Sequence, residues 1–296
     1  MKRRHCLQAL ALAATPLLAS AKTSASATTG SVDTWASSRF QAIEKASGGQ
    51  LGVFIQDTAT GRSWAHRADE RFLMCSTFKL LVSAHLLDRV ARGAERLDRV
   101  VPFGKADLVG YSPVTEKALG RGGMALGELC QATMTYSDNT AANLILATYG
   151  GPAALTAWVR TLGDDVSRFD RTEPSLNVFD ATGLLDTTTP RAAAVSLQAV
   201  TLGDALPPPQ REQLVGWMRA NTTGGRRLKA GLPPGWALGD KTGTSDESTN
   251  DIAVVWPAGG RAPVLVTAYI GRSHAADKVR EQCLAQVAGM LPKLLG

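Results

Sequence analysis

Apolar residues along this chain change their spacing in a way that separates its elements. In residues 34–46, Trp35, Phe40 and Ile43 recur at helical spacing on one face. Leu51 to Asp57 reads as a strand, and Asp57-Thr58-Ala59-Thr60-Gly61 as the turn that ends it. From Phe72 to about Pro209 the pattern is helical with loops between. Leu80, Leu81, Ala84 and Leu87 form one stripe there, and Ala141–Tyr149 reads as another continuous helix. Beyond Pro207-Pro208-Pro209 one more helix leads into Gly231-Leu232-Pro233-Pro234-Gly235. Three strand-like runs follow, at 236–244, 252–256 and 264–270. The chain closes on an amphipathic helix with Val279, Cys283 and Val287 spaced by four.

A single early strand is not stable alone, so 51–57 is expected to join the late strands. The expected fold is therefore α+β. An antiparallel sheet flanked by helices forms a discontinuous α/β domain from 32–68 and 219–296. An all-helical domain, 69–218, is inserted in it. A cleft between the two is the natural place for a site.

The first 27 residues read as an export leader. Lys2-Arg3-Arg4 is followed by an apolar run from Leu7 to Leu18 and by small-residue cleavage sites at Ala19-Ser20-Ala21 and Ala25-Ser26-Ala27. The run is shorter than the ~20 residues a bilayer span needs. Arg3-Arg4 leaves both a twin-arginine and an ordinary Sec leader open. The expectation is an exported, periplasmic protein without stable membrane association. With 44% hydrophobic and 20% charged residues, the composition suits a globular chain with an ample core. Lys2, Arg3 and Arg4 supply half of the formal net charge of +6, and the remaining basic residues are scattered. A nucleic-acid partner is therefore not expected. Cys6 would leave with the leader. Cys75, Cys130 and Cys283 remain, an odd set in apolar surroundings that does not suggest a disulfide framework. His5, His66, His85 and His274 show no metal-ligand spacing, so neither a metal nor an organic cofactor is expected.

Candidate chemistry lies in short motifs. Ser76-Thr77-Phe78-Lys79 puts a serine and a lysine one helical turn apart. A serine at a helix start lies near positive partial charge, and a lysine whose pKa is depressed can take its proton. The same residues also suit a plain helix cap with a solvated lysine. Ser137-Asp138-Asn139 stands before an apolar helix, as a cap or as a proton relay (Ser137) with a substrate-positioning amide (Asn139). Lys241-Thr242-Gly243-Thr244 ends a strand, as a turn or as a second cation beside a ligand-accessible edge. Leu119-Gly120-Arg121-Gly122-Gly123-Met124-Ala125 brushes a dinucleotide pattern but follows no strand, so it is set aside.

Taken together and in this order, the motifs resemble those of class A serine β-lactamases and penicillin-binding proteins. The resemblance to class A spans essentially the whole mature chain and is closest to broad-spectrum chromosomal enzymes of Gram-negative bacteria. It implies the β-lactamase/penicillin-binding transpeptidase fold and a likeness of 171–186, Arg171-Thr172-Glu173-Pro174-Ser175-Leu176-Asn177 onward, to that family's omega loop. By that likeness Ser76 is the nucleophile, and Lys79 or Glu173 takes its proton. Ser137 passes a proton to the leaving nitrogen, and Glu173 with Asn177 holds the hydrolytic water. Backbone N–H groups of Ser76 and Thr244 match an oxyanion hole. Arg171 and Asp186 match the ion pair that closes the loop. Tyr111 matches an aromatic gate. Arg227, Thr242 and Thr244, with Ser245 beside them, match the substrate-carboxylate pocket, although Arg227 also reads as a solvated arginine beside Arg226.

The implied activity is hydrolysis of penicillins and cephalosporins through a serine acyl-enzyme, by a monomer acting on a small-molecule β-lactam. A D,D-peptidase and a non-enzymatic β-lactam sensor are the alternatives; the first lacks the omega-loop glutamate, and the second should carry membrane helices. Three departures matter. Ser175 stands where the family usually has a second glutamate. Ser83 stands opposite Cys130, and Ser245 opposite Cys75, at positions where relatives have cysteines, so neither disulfide is expected. Small hydroxyls at Thr244 and Ser245 lead us to expect some turnover of bulky oxyimino cephalosporins and poor turnover of carbapenems.

Overall fold

A computed structural model describes residues 23–296. Most of the expected leader lies outside the described residues. Helix α1 (Thr23–Ser47) enters a hairpin of β1 (Gln50–Asp57) and β2 (Ser63–His66). A short strand, β3 (Phe72–Leu73), precedes a tight 3-10 turn at Cys75–Phe78 and the helix α2 (Lys79–Ala91). The strands β4 (Val100–Val101) and β5 (Met124–Ala125) form a ribbon ahead of α3 (Leu126–Thr135), α4 (Asn139–Ala147) and α5 (Gly151–Arg160). A long loop then reaches β6 (Thr187–Thr188), which pairs with β3. Helices α6 (Pro190–Thr201), α7 (Pro208–Arg219) and the single turn α8 (Leu228–Gly231) lead to β7 (Ala237–Thr244), β8 (Thr249–Trp256) and β9 (Val264–Gly271). The chain ends in α9 (Asp277–Ala288) and α10 (Leu291–Leu295).

The main sheet is antiparallel, in the order β2-β1-β9-β8-β7. The early strand thus joins the late ones, with Leu51 opposite Ile270 and Ile55 opposite Val266. Both faces are covered, which is why these strands read as nearly unbroken apolar runs rather than clean alternation. Successive side chains sort to opposite faces. Ala253 and Val255 of β8, with Val53 and Ile55 of β1, pack against Phe40, Ile43, Leu284 and Val287 of α1 and α9. Ile252 and Val254 of β8, with Leu265 and Tyr269 of β9, join the larger core formed by the helices from α2 to α7. Helix α2 is buried at every position from Lys79 to Asp88 and so runs through the middle of that layer rather than over its surface.

Local signals account for several boundaries. Thr189 accepts the Ala192 N–H and Pro190 opens α6, a cap followed by a proline at the first helical position. Asp57 closes the β1–β2 turn by accepting from Ala59 N and Thr60 Oγ1, with Gly61 at φ +72. The pattern foresaw that turn but not β2, because Ser63-Trp64-Ala65-His66 is too short for periodicity to register. The stretch expected to be helical also holds the ribbons β3–β6 and β4–β5. Two-residue pairings of this kind are set by tertiary contact and leave no periodic trace. Cys75, Cys130 and Cys283 are buried free thiols. Burial pushes both Cys75 and Cys130 up to about 12. Among the described residues no helix is long and apolar enough to cross a membrane.

Candidate active site

The site opens where the end of β7, the 3-10 turn before α2, the start of α4 and the 171–186 loop meet. Ser76 sits in that turn, half-buried, behind Cys75 at φ +46. The turn and β7 come very close. A Cβ on Gly243 would stand 2.6 Å from the Met74 carbonyl oxygen and 3.2 Å from Ser76 N, so only glycine fits there. That approach puts the backbone of 243–244 beside the backbone N–H of Ser76.

Lys79 lies one turn on, fully buried. Its Nζ donates to Ser76 Oγ at 2.9 Å, to the Ser137 carbonyl at 2.8 Å and to Asn139 Oδ1 at 2.5 Å. It also stands 2.9 Å from Glu173 Oε1. The solvated-lysine reading of this position is therefore wrong. Burial pushes the Lys79 ammonium below its ordinary range, while the Glu173 carboxylate works in the opposite direction.

In Ser137-Asp138-Asn139 the cap and the site chemistry fall on different residues. Asp138 is the cap: its carboxylate accepts from Ala141 N and also from Val114 N and Thr115 N. With the middle residue pinned, Ser137, at φ +60, and Asn139 turn toward Lys79. Asn139 Nδ2 donates to the Gly110 carbonyl at 2.7 Å, which orients its amide. On the far side Lys241 Nζ donates to Ser137 Oγ at 3.1 Å and to the Thr242 carbonyl at 2.8 Å. Burial, then the nearby Lys79 charge, push the Lys241 ammonium well below its ordinary range. Two buried cations thus flank Ser137.

Glu173 reaches this cluster from the loop. Its Oε1 accepts from Ser76 Oγ at 3.2 Å, and its Oε2 accepts from Asn177 Nδ2 at 2.6 Å. Sequence reasoning missed the residue that fixes its backbone. Asn143 Nδ2 donates to the Glu173 carbonyl at 2.9 Å, and Glu173 N donates to Asn143 Oδ1 at 3.0 Å. A signal existed, since Asn143 lies four residues after Asn139 and so shares its helical face. The loop is closed at its base by Arg171 Nε, 2.6 Å from Asp186 Oδ2. Asp186 Oδ1 accepts from the backbone N–H of both Asp170 and Arg171. Ser175 donates to the Thr172 carbonyl at 2.9 Å, a local turn contact.

The far wall holds Arg227, which is buried rather than solvated. Its guanidinium donates to the carbonyls of Gly243 and Asn250, each at 2.9 Å, and to Thr244 Oγ1 at 2.7 Å. The exposed partner is Arg226, paired with Glu281 at 2.8 Å. Thr223, which sequence reasoning also missed, holds its hydroxyl 2.5 Å from that of Thr242. The residues surround an open cavity of about 800 Å³ lined by Ser76, Ser137, Asn139, Asn177, Thr242 and Thr244, with Tyr111, 63% exposed, at its mouth. Ser245 is not brought into this cavity; it lies in the adjoining groove with Asn177, Phe179 and Glu247. Among the described residues no cluster of His, Cys, Asp or Glu is arranged to hold a metal ion.

Residues 36–293 match the model of the β-lactamase enzyme family. The chain is 47% identical to β-lactamase L2 of Stenotrophomonas maltophilia, covering 96% of this chain and 94% of that protein. It is 45% identical to the carbapenem-hydrolyzing β-lactamase KPC of Klebsiella oxytoca, over 87% of this chain and 88% of that one. Among solved structures it is similar to an ancestral class A β-lactamase, with a TM-score of 0.85 and 54% identity, covering 87% of this chain and 99% of the other.

Proposed function

This chain belongs to the class A β-lactamase family, and from that premise we propose how its residues open a β-lactam ring and discharge the product. Ser76 Oγ attacks the lactam carbonyl and loses its proton to the Lys79–Glu173 pair; both partners touch that oxygen, so either delivers the proton to the same unit. The carbonyl oxygen, negative in the tetrahedral intermediate, faces the backbone N–H groups of Ser76 and Thr244. Lys79 passes the Ser76 proton to Ser137 Oγ as Ser137, held between Lys79 and Lys241, gives its own to the departing nitrogen, which leaves Ser137 neutral and Glu173 ionised. Glu173, with Asn177 beside it, then deprotonates the water that hydrolyses the ester. Arg227, Thr242 and Thr244 hold the substrate carboxylate, Asn139 orients its amide side chain, and Tyr111 lines the entrance.

The observation that carries this reading is the placement of Glu173 Oε1 against both Ser76 Oγ and Lys79 Nζ, at 3.2 and 2.9 Å. A base set there gives the acyl-enzyme a way out that a D,D-peptidase lacks. Nitrocefin decides between them: continuous turnover supports hydrolysis, whereas a single stoichiometric label supports a peptidase or sensor. Ser76→Ala should abolish labelling by benzylpenicillin in mass spectrometry, and an adduct of unchanged stoichiometry would overturn the nucleophile assignment.

The same reading includes the division into a discontinuous domain, 32–68 and 219–296, and an inserted domain, 69–218. It also includes export to the periplasm behind a cleaved leader, and action as a monomer. Labelling of the processed chain in a periplasmic extract tests export, and its sedimentation tests the oligomeric state.

A further inference from the structure

Behind the far wall of the cleft two acidic side chains lie against each other inside the sheet. Asp240 of β7 is in register with Ala253 and Asp251 of β8 with Thr242, so the two are diagonal neighbours on one face. Asp240 is 3% exposed and Asp251 fully buried. Burial raises both carboxyls above the ordinary carboxylate range, and the charge of Asp240 raises Asp251 further. Two ionised carboxylates this close would repel in the dry interior, and a single proton on one of them relieves that repulsion. Asp251 Oδ1 has no hydrogen-bond partner, so it is the atom open to such a proton. Among the described residues neither acid has a lysine or arginine within ion-pair distance. Lys241, although next in sequence, turns its Nζ to Ser137; Arg227 and Lys229 approach from the turn and α8. From α9, Glu281 is taken up by Arg226 and Arg227.

The pair holds both ends of the turn that carries the wall. Asp240 Oδ2 accepts from Asn221 Nδ2 at 2.7 Å, and Asp251 Oδ2 accepts from Leu228 N at 3.2 Å. Between them the backbone crosses directly over Asp240. A Cβ on Gly224 would stand 1.9 Å from Asp240 Oδ2. Asn221 Oδ1 in turn accepts from Thr223 N at 3.0 Å and Thr223 Oγ1 at 2.8 Å, and Thr223 meets Thr242. Leu228 immediately follows Arg227. A continuous set of hydrogen bonds therefore runs from the two acids to the residues facing the cavity.

We propose that Asp240 and Asp251 share one proton and together act as positioning residues for the 221–228 turn, setting Thr223 and Arg227 to receive the substrate carboxylate. This rests on the reading of Arg227, Thr242 and Thr244 as the carboxylate pocket. Loss of the shared proton leaves two buried anions that repel. The turn then shifts, and KM for an anionic β-lactam rises, while kcat, set at Ser76 on the other side of β7, does not follow. The same proton links to stability. A carboxyl protonated in the folded state and ionised in the unfolded one loses stability as pH rises from the ordinary carboxylate range to its raised folded value.

Asp251→Asn tests this, because its amide N–H replaces the shared proton and leaves Asp240 a lone carboxylate with donors in Asn221 and the new amide, with no second acid to repel it. Wild-type protein should show the infrared band of a protonated carboxyl above neutral pH, and Asp251→Asn should lack that band. KM for benzylpenicillin should climb with alkaline pH in the wild type and stay flat in Asp251→Asn. Asp251→Leu, which removes the link, should raise KM about tenfold at all pH with kcat unchanged. Absence of the band from the wild type overturns the shared proton. A wild-type KM in Asp251→Leu, or an alkaline rise in Asp251→Asn equal to that of the wild type, overturns the positioning role. If the wild type turns over no β-lactam at all, the proposed function fails instead, and the infrared band still decides the proton.

Discussion

Replacing Glu173 by glutamine separates acylation from deacylation. The carboxylate lies between donors on both sides, Lys79 Nζ at 2.9 Å and Asn177 Nδ2 at 2.6 Å. Glutamine keeps one oxygen for Lys79 but turns an NH₂ toward Asn177. Asn177 Oδ1 has no partner, so a flip of that amide restores a hydrogen bond at the expense of its contact with the Pro174 carbonyl. The rearrangement costs about 1 kcal/mol, a small part of a domain's stability, and the Asn143 clasp on the backbone is untouched. The chemistry loses far more. A positioned general base contributes about 10²–10⁴-fold, or about 3–5 kcal/mol of barrier, and the amide that takes its place cannot accept the proton of the hydrolytic water. Acylation is expected to suffer less. Glu173 raises the Lys79 pKa, so its removal lowers that pKa further and enlarges the neutral fraction that can take the Ser76 proton. Rapid-quench mass spectrometry with benzylpenicillin should therefore find the acyl-enzyme accumulating while steady-state kcat falls about 10²–10⁴-fold. Turnover at the wild-type rate with no accumulated adduct would refute the assignment of Glu173. Equal loss of both steps would refute the role of Lys79 as a proton acceptor.

Three further outcomes are expected. Thiol titration of the processed chain under denaturing, non-reducing conditions should find three thiols, since Ser83 and Ser245 face Cys130 and Cys75; a count of one would mean a disulfide. His85 stacks on Trp158 and meets Tyr149 at a tilt, and burial lowers its pKa to about 4. The unfolded chain then binds a proton that the folded one refuses, so stability should decline as pH falls from about 6.5 toward about 4. Denaturation midpoints of His85→Gln should lack that part of the slope. Cefotaxime should be hydrolysed with higher kcat/KM than imipenem, and a clear preference for imipenem would show that Thr244 and Ser245 do not set breadth as expected.

Much of this protein is readable without coordinates, because much of it is local. The apolar parity of 252–255 and 264–270, the cap at Asp138 and the proline after Thr189 announce strands and helix starts through side chains and backbone within a few residues of each other. The rule that a lone strand needs partners was enough to send 51–57 to the late strands, with which it pairs. The short motifs were visible for the same reason, each lying within one turn or one strand end.

Tertiary structure alone supplied what depends on residues distant in sequence. Lys79 and Lys241 become unusual cations only because packing strips them of water and brings them both to Ser137. Arg227 and Arg226 are indistinguishable as letters, yet the direction of one turn buries the first under β7 and leaves the second in solvent. Asn143, Thr223 and the paired acids Asp240 and Asp251 belong to no motif. Their partners come from other elements, and burial is what makes those contacts strong and any lost partner costly.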